Sequence, residues 1–376
     1  MKAGFGWVRS RSSSVSWLAC LLLASCAGTA PNIREPLESG NLDDFPPTAN
    51  GGSRGASKQA LDTAAALGRG INLGNVFEAP REGDWGLTFK DNYFDAIAAA
   101  GFKSVRIPVR WSNHAAATAD ATIDSAFAAR IDHVIDGFLA RGLTVVVNVH
   151  HYRQLDGDTL DANESAVSAS VVRVRFLNLW KQIAQRYKDR SDKLVFELYN
   201  EPHGAQQSTW NDLAARGLNV VRQRNPKRMV VIGPVTWNSA SSLAQLSLPD
   251  DDNLIVTVHN YNPFQFTHQG ASWVGGSSAW LGTTCCSAAQ KRDIIGPLDT
   301  AAAWSAAHRY PIWLGEFGSY GKGAIDSRVV FTRLMRDEAE KRNIPWAYWE
   351  FASGFGAYNP TPDTWRTPLE DALLGP

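Results

Sequence analysis

From about residue 68 onward, short and nearly continuous apolar runs alternate with longer stretches in which apolar residues return every three or four positions. Thr144-Val145-Val146-Val147-Asn148-Val149 is a run of the first kind. A strand with one wet face would alternate apolar and polar residues, so this run predicts a strand covered on both faces. Eight such runs predict strands over 70–73, 104–108, 144–150, 194–200, 229–233, 254–259, 312–316 and 345–350. Between the second and third, Ile123, Phe127, Ile131, Val134, Ile135 and Phe138 recur at helical spacing, with Thr122 or Asp124 to cap the helix and Gly142 to end it. Val172, Phe176, Leu179, Trp180, Ile183 and Tyr187 predict a helix before the fourth strand. Another starts at Asp326 and runs through Phe331, Leu334 and Met335, and residues 368–374 read as a closing helix. Strand–helix units repeated eight times in about 310 residues predict an α/β fold, a (β/α)8 TIM barrel forming a single domain over 59–376. A doubly wound open sheet is the alternative. No Gly-x-Gly-x-x-Gly turn follows the first strand, and polar residues gather at many strand ends rather than at one switch point.

The N-terminal end reads differently. Lys2, Arg9 and Arg11 form a basic stretch without an acid, followed by an apolar run over 15–24 that is too short to span a bilayer. Residues 1–25 are therefore expected to be a secretory signal. The signal ends Leu23-Ala24-Ser25-Cys26, which resembles a bacterial lipobox, so Cys26 is expected to become the lipidated first residue and the chain's one link to a membrane. Ordinary cleavage after Ala27 is the alternative. Residues 26–58, rich in Pro, Gly, Ser, Asn and Asp without apolar periodicity, are expected to be a flexible tether. The expected location is the cell envelope, at the outer membrane in a Gram-negative cell, or the medium.

Composition narrows the classes further. The chain is 44% hydrophobic and 20% charged, which suits a globular domain with a sizeable core. Lys plus Arg and Asp plus Glu are 37 each, so no global field attracts nucleic acid, and a monomer without nucleic-acid partners is expected. Fourteen Trp fit either an aromatic core or a carbohydrate site in which indoles stack on sugar rings. Once Cys20 and Cys26 are set aside, only the neighbours Cys285 and Cys286 remain, as a strained disulfide or as two free thiols.

In a TIM barrel the chemistry lies where the strands end. Here those ends carry Asn72 and Asn75, Arg106, His150-His151-Tyr152, Asn200-Glu201-Pro202-His203, His259-Asn260-Tyr261, Glu316 and Trp349-Glu350. Strands normally hand over to turn residues rather than to His, Glu, Arg and Trp. Glu201 and Glu316 close the fourth and seventh strands, on opposite sides of one mouth. Paired carboxyls in that relation suit glycosidic cleavage, where one donates a proton and the other attacks or activates water. The attacking carboxylate wants a low pKa, and the acid a raised one that a neighbouring carboxylate can supply.

With these residues in place, the chain resembles glycoside hydrolase family five over residues 68–375. The resemblance rests on Gly70-Ile71-Asn72-Leu73-Gly74-Asn75, Val105-Arg106-Ile107-Pro108, Asn148-Val149-His150, Asn200-Glu201-Pro202, His259-Asn260-Tyr261 and Gly315-Glu316-Phe317-Gly318, in that order. It implies Glu201 as acid/base and Glu316 as nucleophile. It implies Asn200 on the sugar 2-hydroxyl, Arg106 and Tyr261 against Glu316, His150 and His259 lining the cleavage subsite, and Trp349 as its stacking floor. For this pair a separation of roughly 5–5.5 Å with net retention is expected.

The loop residues Glu78-Ala79-Pro80, Trp85 and 262–270, with Phe355, Tyr358 and Trp365, resemble the endo-β-1,4-glucanase branch, which implies β-1,4-glucan as substrate. Asn75, Trp85, Trp237 and Trp273 are candidate sugar contacts. The alternatives are a β-mannanase, a glucomannanase or xyloglucanase, and a surface protein that binds glycan without cutting it. His150, His151, His203 and His259 suggest a metal-dependent rival, but no His-x-x-x-His or His-Glu-x-x-His occurs, so neither metal nor cofactor is expected. His133 and His308 fall in helical patterns and are expected to be ordinary structural or surface residues.

Overall fold

The computed structural model describes residues 40–49, 54–161 and 164–376. Eight parallel strands close a barrel in chain order: β1 Arg69–Asn72, β2 Ser104–Ile107, β3 Thr144–Asn148, β4 Leu194–Glu197, β5 Val230–Ile232, β6 Leu254–His259, β7 Ile312–Phe317 and β8 Trp346–Tyr348. β8 returns to pair with β1, with Ala347 beside Gly70. The expected TIM barrel is therefore the fold. β3 and β4 leave the ladder earlier than their apolar runs suggested. Backbone bonding continues past the ladder nonetheless: Leu198 N–H donates to Val231 O at 3.1 Å, and Asn200 N–H to Val149 O at 3.0 Å.

Alternate residues of each strand point into the barrel, and the composition of these positions changes with height. Val146, Val195, Val231, Ile255, Trp313 and Ala347 form one buried cluster with Met229. The helix Lys58–Leu67 closes the same cluster with Ala60, Ala64 and Leu67. Burying a chain such as Leu67 or Ile255 stabilises the fold by about 1.5–3 kcal/mol each. Two residues further along the strands, the matching positions become Asn148, Glu197, Thr257 and Gly315. Apolar packing holds the lower barrel, and the upper barrel is left for polar chemistry.

The outer helices follow their patterns with small shifts. Asp124 rather than Thr122 caps the helix Ser125–Ala140, accepting from Phe127 N–H at 2.7 Å. Val172–Arg186 buries Phe176, Leu179, Trp180 and Ile183. Ile325–Glu340 places Asp326 in its first turn, where a carboxylate favours the helix dipole. The closing helix is Thr367–Leu374. His133 and His308 lie on helices, as expected.

The tether needs correction at its C-terminal end. Residues 41–49 are packed on the helix Trp210–Arg222: Phe45 is buried, Arg216 Nη1 donates to the Leu42 and Phe45 carbonyls, and Asn219 Nδ2 to that of Pro46. Ser57 then caps the helix Lys58–Leu67. These bonds run between residues about 170 positions apart, so local composition could not reveal them. The signal and Cys26 lie outside the described residues. Among the described residues, no helix is long and apolar enough to cross a membrane. Cys285 and Cys286 form a disulfide with each other rather than two free thiols. The Trp residues divide between two settings: Trp111, Trp180, Trp210, Trp313 and Trp346 are fully buried, whereas Trp85, Trp237 and Trp273 are exposed.

Candidate active site

Two buried strands each carry a single charge, and the two charges meet. Arg106 on β2 is fully buried and spends all five N–H donors on protein acceptors. Nε donates to Glu197 Oε2 at 2.6 Å and Nη2 to Glu197 Oε1 at 2.9 Å. The remaining donors reach Glu316 Oε1 at 2.6 Å, Asn200 Oδ1 at 2.7 Å and Asn72 Oδ1 at 3.0 Å. Asn72 Nδ2 in turn donates to Gly315 O at 3.0 Å. One guanidinium thus fixes residues from β1, the exit of β4, and β7.

Glu316 reaches this network because β7 breaks register. Val258 pairs with Leu314, but His259 pairs with Glu316, so Gly315 is an extra residue on β7. Strict alternation from inward Trp313 would point Gly315 inward and Glu316 away; the irregularity re-aims the glutamate into the mouth. Gly315 is small by necessity. A Cβ there would sit 2.5 Å from Thr257 Oγ1 and 2.9 Å from His259 Nε2. Tyr261 completes the setting by donating its hydroxyl to Glu316 Oε2 at 2.8 Å.

Both Glu316 oxygens therefore accept from fixed donors, which favours the carboxylate. Burial nevertheless raises its pKa, against the pull of His259 and Arg106, rather than leaving it low as expected of a nucleophile. Glu201 sits just beyond β4 with its side chain 21% exposed. Its pKa is pushed up to about 7, first by burial, against Arg106 and His203. The neighbouring charge that adds to the rise is Glu197. His259 Nδ1 lies 2.7 Å from Glu201 Oε1 and 3.6 Å from Glu316 Oε2, joining the two carboxyls. Burial lowers the His259 pKa to about 4, so the ring is neutral at neutral pH. With the Asn238 amide nitrogen 3.3 Å from Nε2, the ring proton sits on Nδ1 and is donated to Glu201. A carboxylate oxygen of each glutamate and a His259 nitrogen all lie within 4.8 Å of one another.

The other expected residues surround this centre. His150 is buried, its Nδ1 3.2 Å from Asn148 Nδ2, and its ring lies parallel to Trp349 at 5.9 Å. Burial holds His150 well below the usual histidine range. Asn75 and Trp85 stand outside the hydrogen-bonded cluster: Asn75 N–H donates to Glu78, and Trp85 packs edge-on against His151 beneath Arg110. Trp273 packs against Tyr320 and Phe355, and Trp237 lies parallel to His203 at 4.7 Å. Asp156, Asp158 and His203 also have donor atoms within 4.8 Å of one another. There, His203 Nδ1 is committed to the Glu201 carbonyl.

The sequence profile described as Cellulase (glycosyl hydrolase family 5) matches residues 66–354. The chain belongs to glycosyl hydrolase family 5. Endoglucanase H of Acetivibrio thermocellus is 36% identical over 318 residues, covering 82% of this chain and 33% of that protein. Cellulase/esterase CelE of the same organism is 31% identical over 323 residues, covering 80% and 37%. The chain thus spans about a third of the length of these curated relatives. Among solved structures, Thermotoga maritima Cel5A in complex with mannotriose is 45% identical with a TM-score of 0.79, covering 84% of this chain and 99% of that one. Its structure with cellobiose gives 46% identity and the same TM-score and coverage. This family 5 chain is a glycoside hydrolase.

Sequence reasoning on this family 5 site passed over Glu197. The signal was present: a lone acid in Leu194-Val195-Phe196-Glu197-Leu198 must find a partner if the strand is buried, and Arg106 in Val105-Arg106-Ile107 poses the matching problem. Asn238, which orients His259, carried no such mark.

Proposed function

We propose that this chain is a retaining, endo-acting hydrolase of β-1,4-glucan that works by double displacement. The observation that carries the mechanism is the approach of Glu201 and Glu316 oxygens within 4.8 Å. Inverting enzymes separate their carboxyls by roughly 6.5–9.5 Å to admit a water, and retaining ones by about 5–5.5 Å. In the first step Glu316 attacks the anomeric carbon while Glu201 gives its proton to the departing glycosidic oxygen. A glycosyl ester on Glu316 results, and the Glu201 carboxylate then takes a proton from the water that releases the sugar. Asn200, turned by Arg106, would offer its amide nitrogen to the 2-hydroxyl, and Trp349 a flat face to the ring.

Endo action on β-1,4-glucan is supported by the endoglucanase name of the relative and by the cellobiose complex of the solved neighbour. A β-mannan reading is favoured by one observation, the mannotriose in that neighbour's other structure. Trp237, Trp273 and Trp85 are the exposed platforms along which a glycan chain would lie. Export with lipidation at Cys26, and a monomeric state, belong to the same proposal.

Reducing-end release from carboxymethylcellulose, mixed-linkage β-glucan, glucomannan and xyloglucan tests the substrate. Activity on the first two is expected; activity confined to mannan would replace the glucan reading. The pH profile tests Glu201 in the same assay. The first step needs its protonated form, so kcat/KM is expected to fall as pH rises through about 7. A profile flat to pH 9 would contradict its role as the acid.

A further inference from the structure

The Glu201 backbone is left-handed, with φ 51°. A non-glycine residue held there is strained and persists only where its surroundings impose it. The Glu201 carbonyl accepts from His203 Nδ1 at 2.6 Å. The opposite ring nitrogen, Nε2, donates to Asp158 Oδ2 at 3.3 Å. Only an imidazolium donates from both nitrogens at once. Asp156, which is buried, brings Oδ1 to 3.8 Å from Nδ1, and the Tyr199 hydroxyl holds its other oxygen. Trp237 covers the ring face. Burial opposes the ring's charge, but Asp156, the Glu201 carbonyl and Asp158 together lift its pKa above the usual range.

The backbone beside His203 is fitted to the same partner. Gly204 approaches the Asp156 carbonyl so closely that a Cβ would lie 2.3 Å from that oxygen. Gln206 Nε2 donates to the neighbouring Leu155 carbonyl. The β4 exit loop is thus clamped onto the helix Arg153–Asp156 that follows β3.

We infer that His203 is a positioning residue: gripped by Asp156 and Asp158, its ring holds the Glu201 carbonyl and so fixes the left-handed turn that aims the Glu201 carboxyl across the cleft. The inference rests on the proposed acid/base role of Glu201. It assigns His203 no contact with substrate.

The test compares two substrates. In cellotetraose the leaving sugar must be protonated, whereas 2,4-dinitrophenyl β-cellobioside releases a phenolate that needs no acid. A misaimed Glu201 therefore slows the first substrate selectively. For His203→Ala, kcat/KM is expected to fall about 30-fold on cellotetraose and less than threefold on the dinitrophenyl glycoside, in the range for a slightly displaced catalytic group. His203→Asn, which retains an amide donor near the Nδ1 position, should recover most of the loss. Equal losses on both substrates, or no loss on cellotetraose, would overturn the inference. Activity on the activated glycoside also reports that the variants have folded. Glu201→Ala is measured alongside: if it lacks the leaving-group dependence, the acid/base reading itself fails; if it has the dependence and His203→Ala does not, only the positioning role is lost.

Discussion

Replacing Glu316 with glutamine is expected to lower turnover of carboxymethylcellulose by at least about four orders of magnitude with a folded protein and little change in KM. The amide matches the carboxylate in size, so binding survives while the nucleophile's negative charge does not. Glutamine also presents an N–H₂ to one of two donors, Arg106 Nη1 or the Tyr261 hydroxyl, that now converge on the carboxylate. The smaller Glu316→Gly variant extends the test. With azide and 2,4-dinitrophenyl β-cellobioside, azide enters the vacated space, attacks the anomeric carbon and expels dinitrophenolate, giving the α-cellobiosyl azide. Hydrolysis by Glu316→Gln within tenfold of the wild type would show that another group attacks the sugar.

Arg106→Ala should damage stability and activity together. Removing the guanidinium leaves both Glu197 oxygens without their principal donors and strips Glu316, Asn72 and Asn200 of one each. The side chain is fully buried, so water cannot readily replace it. Breaking a buried ion pair from one side typically costs about 3–5 kcal/mol, which a denaturant midpoint would read directly. Arg106→Lys separates the two effects. Lysine keeps the charge but has three donors and no planar fork, so it cannot hold all five acceptor atoms in place. It should lose less stability than alanine yet still reduce kcat about 10²-fold through a displaced nucleophile. An unchanged midpoint in Arg106→Ala would mean that the carboxylates are satisfied without it.

The barrel was legible because buried parallel strands have a plain signature. Thr144-Val145-Val146-Val147 has no wet face to alternate with, and seven comparable runs at barrel spacing leave few architectures open. The pair of glutamates was legible through their positions at strand exits. Periodicity alone would have misled at Glu316, since the direction of that side chain depends on one extra residue, Gly315, opposite β6. The docking of residues 41–49 and the grip of His203 on Glu201 depend on partners distant in sequence or on backbone geometry. No local pattern encodes either. The nucleophile's expected low pKa failed for a related reason. Cationic and hydroxyl neighbours were anticipated, but the burial that outweighs them belongs to the assembled site.

The most direct measurement uses the unmodified enzyme and 2,4-dinitrophenyl 2-deoxy-2-fluoro-β-cellobioside. Fluorine slows both steps, while the activated leaving group lets the first proceed, so a covalent intermediate accumulates and can be located by peptide mass spectrometry. One fluorocellobiosyl group on Glu316, released slowly with the β-configuration, is the predicted result. A label on any other residue, or dinitrophenolate release from protein that stays unlabelled, would contradict the account.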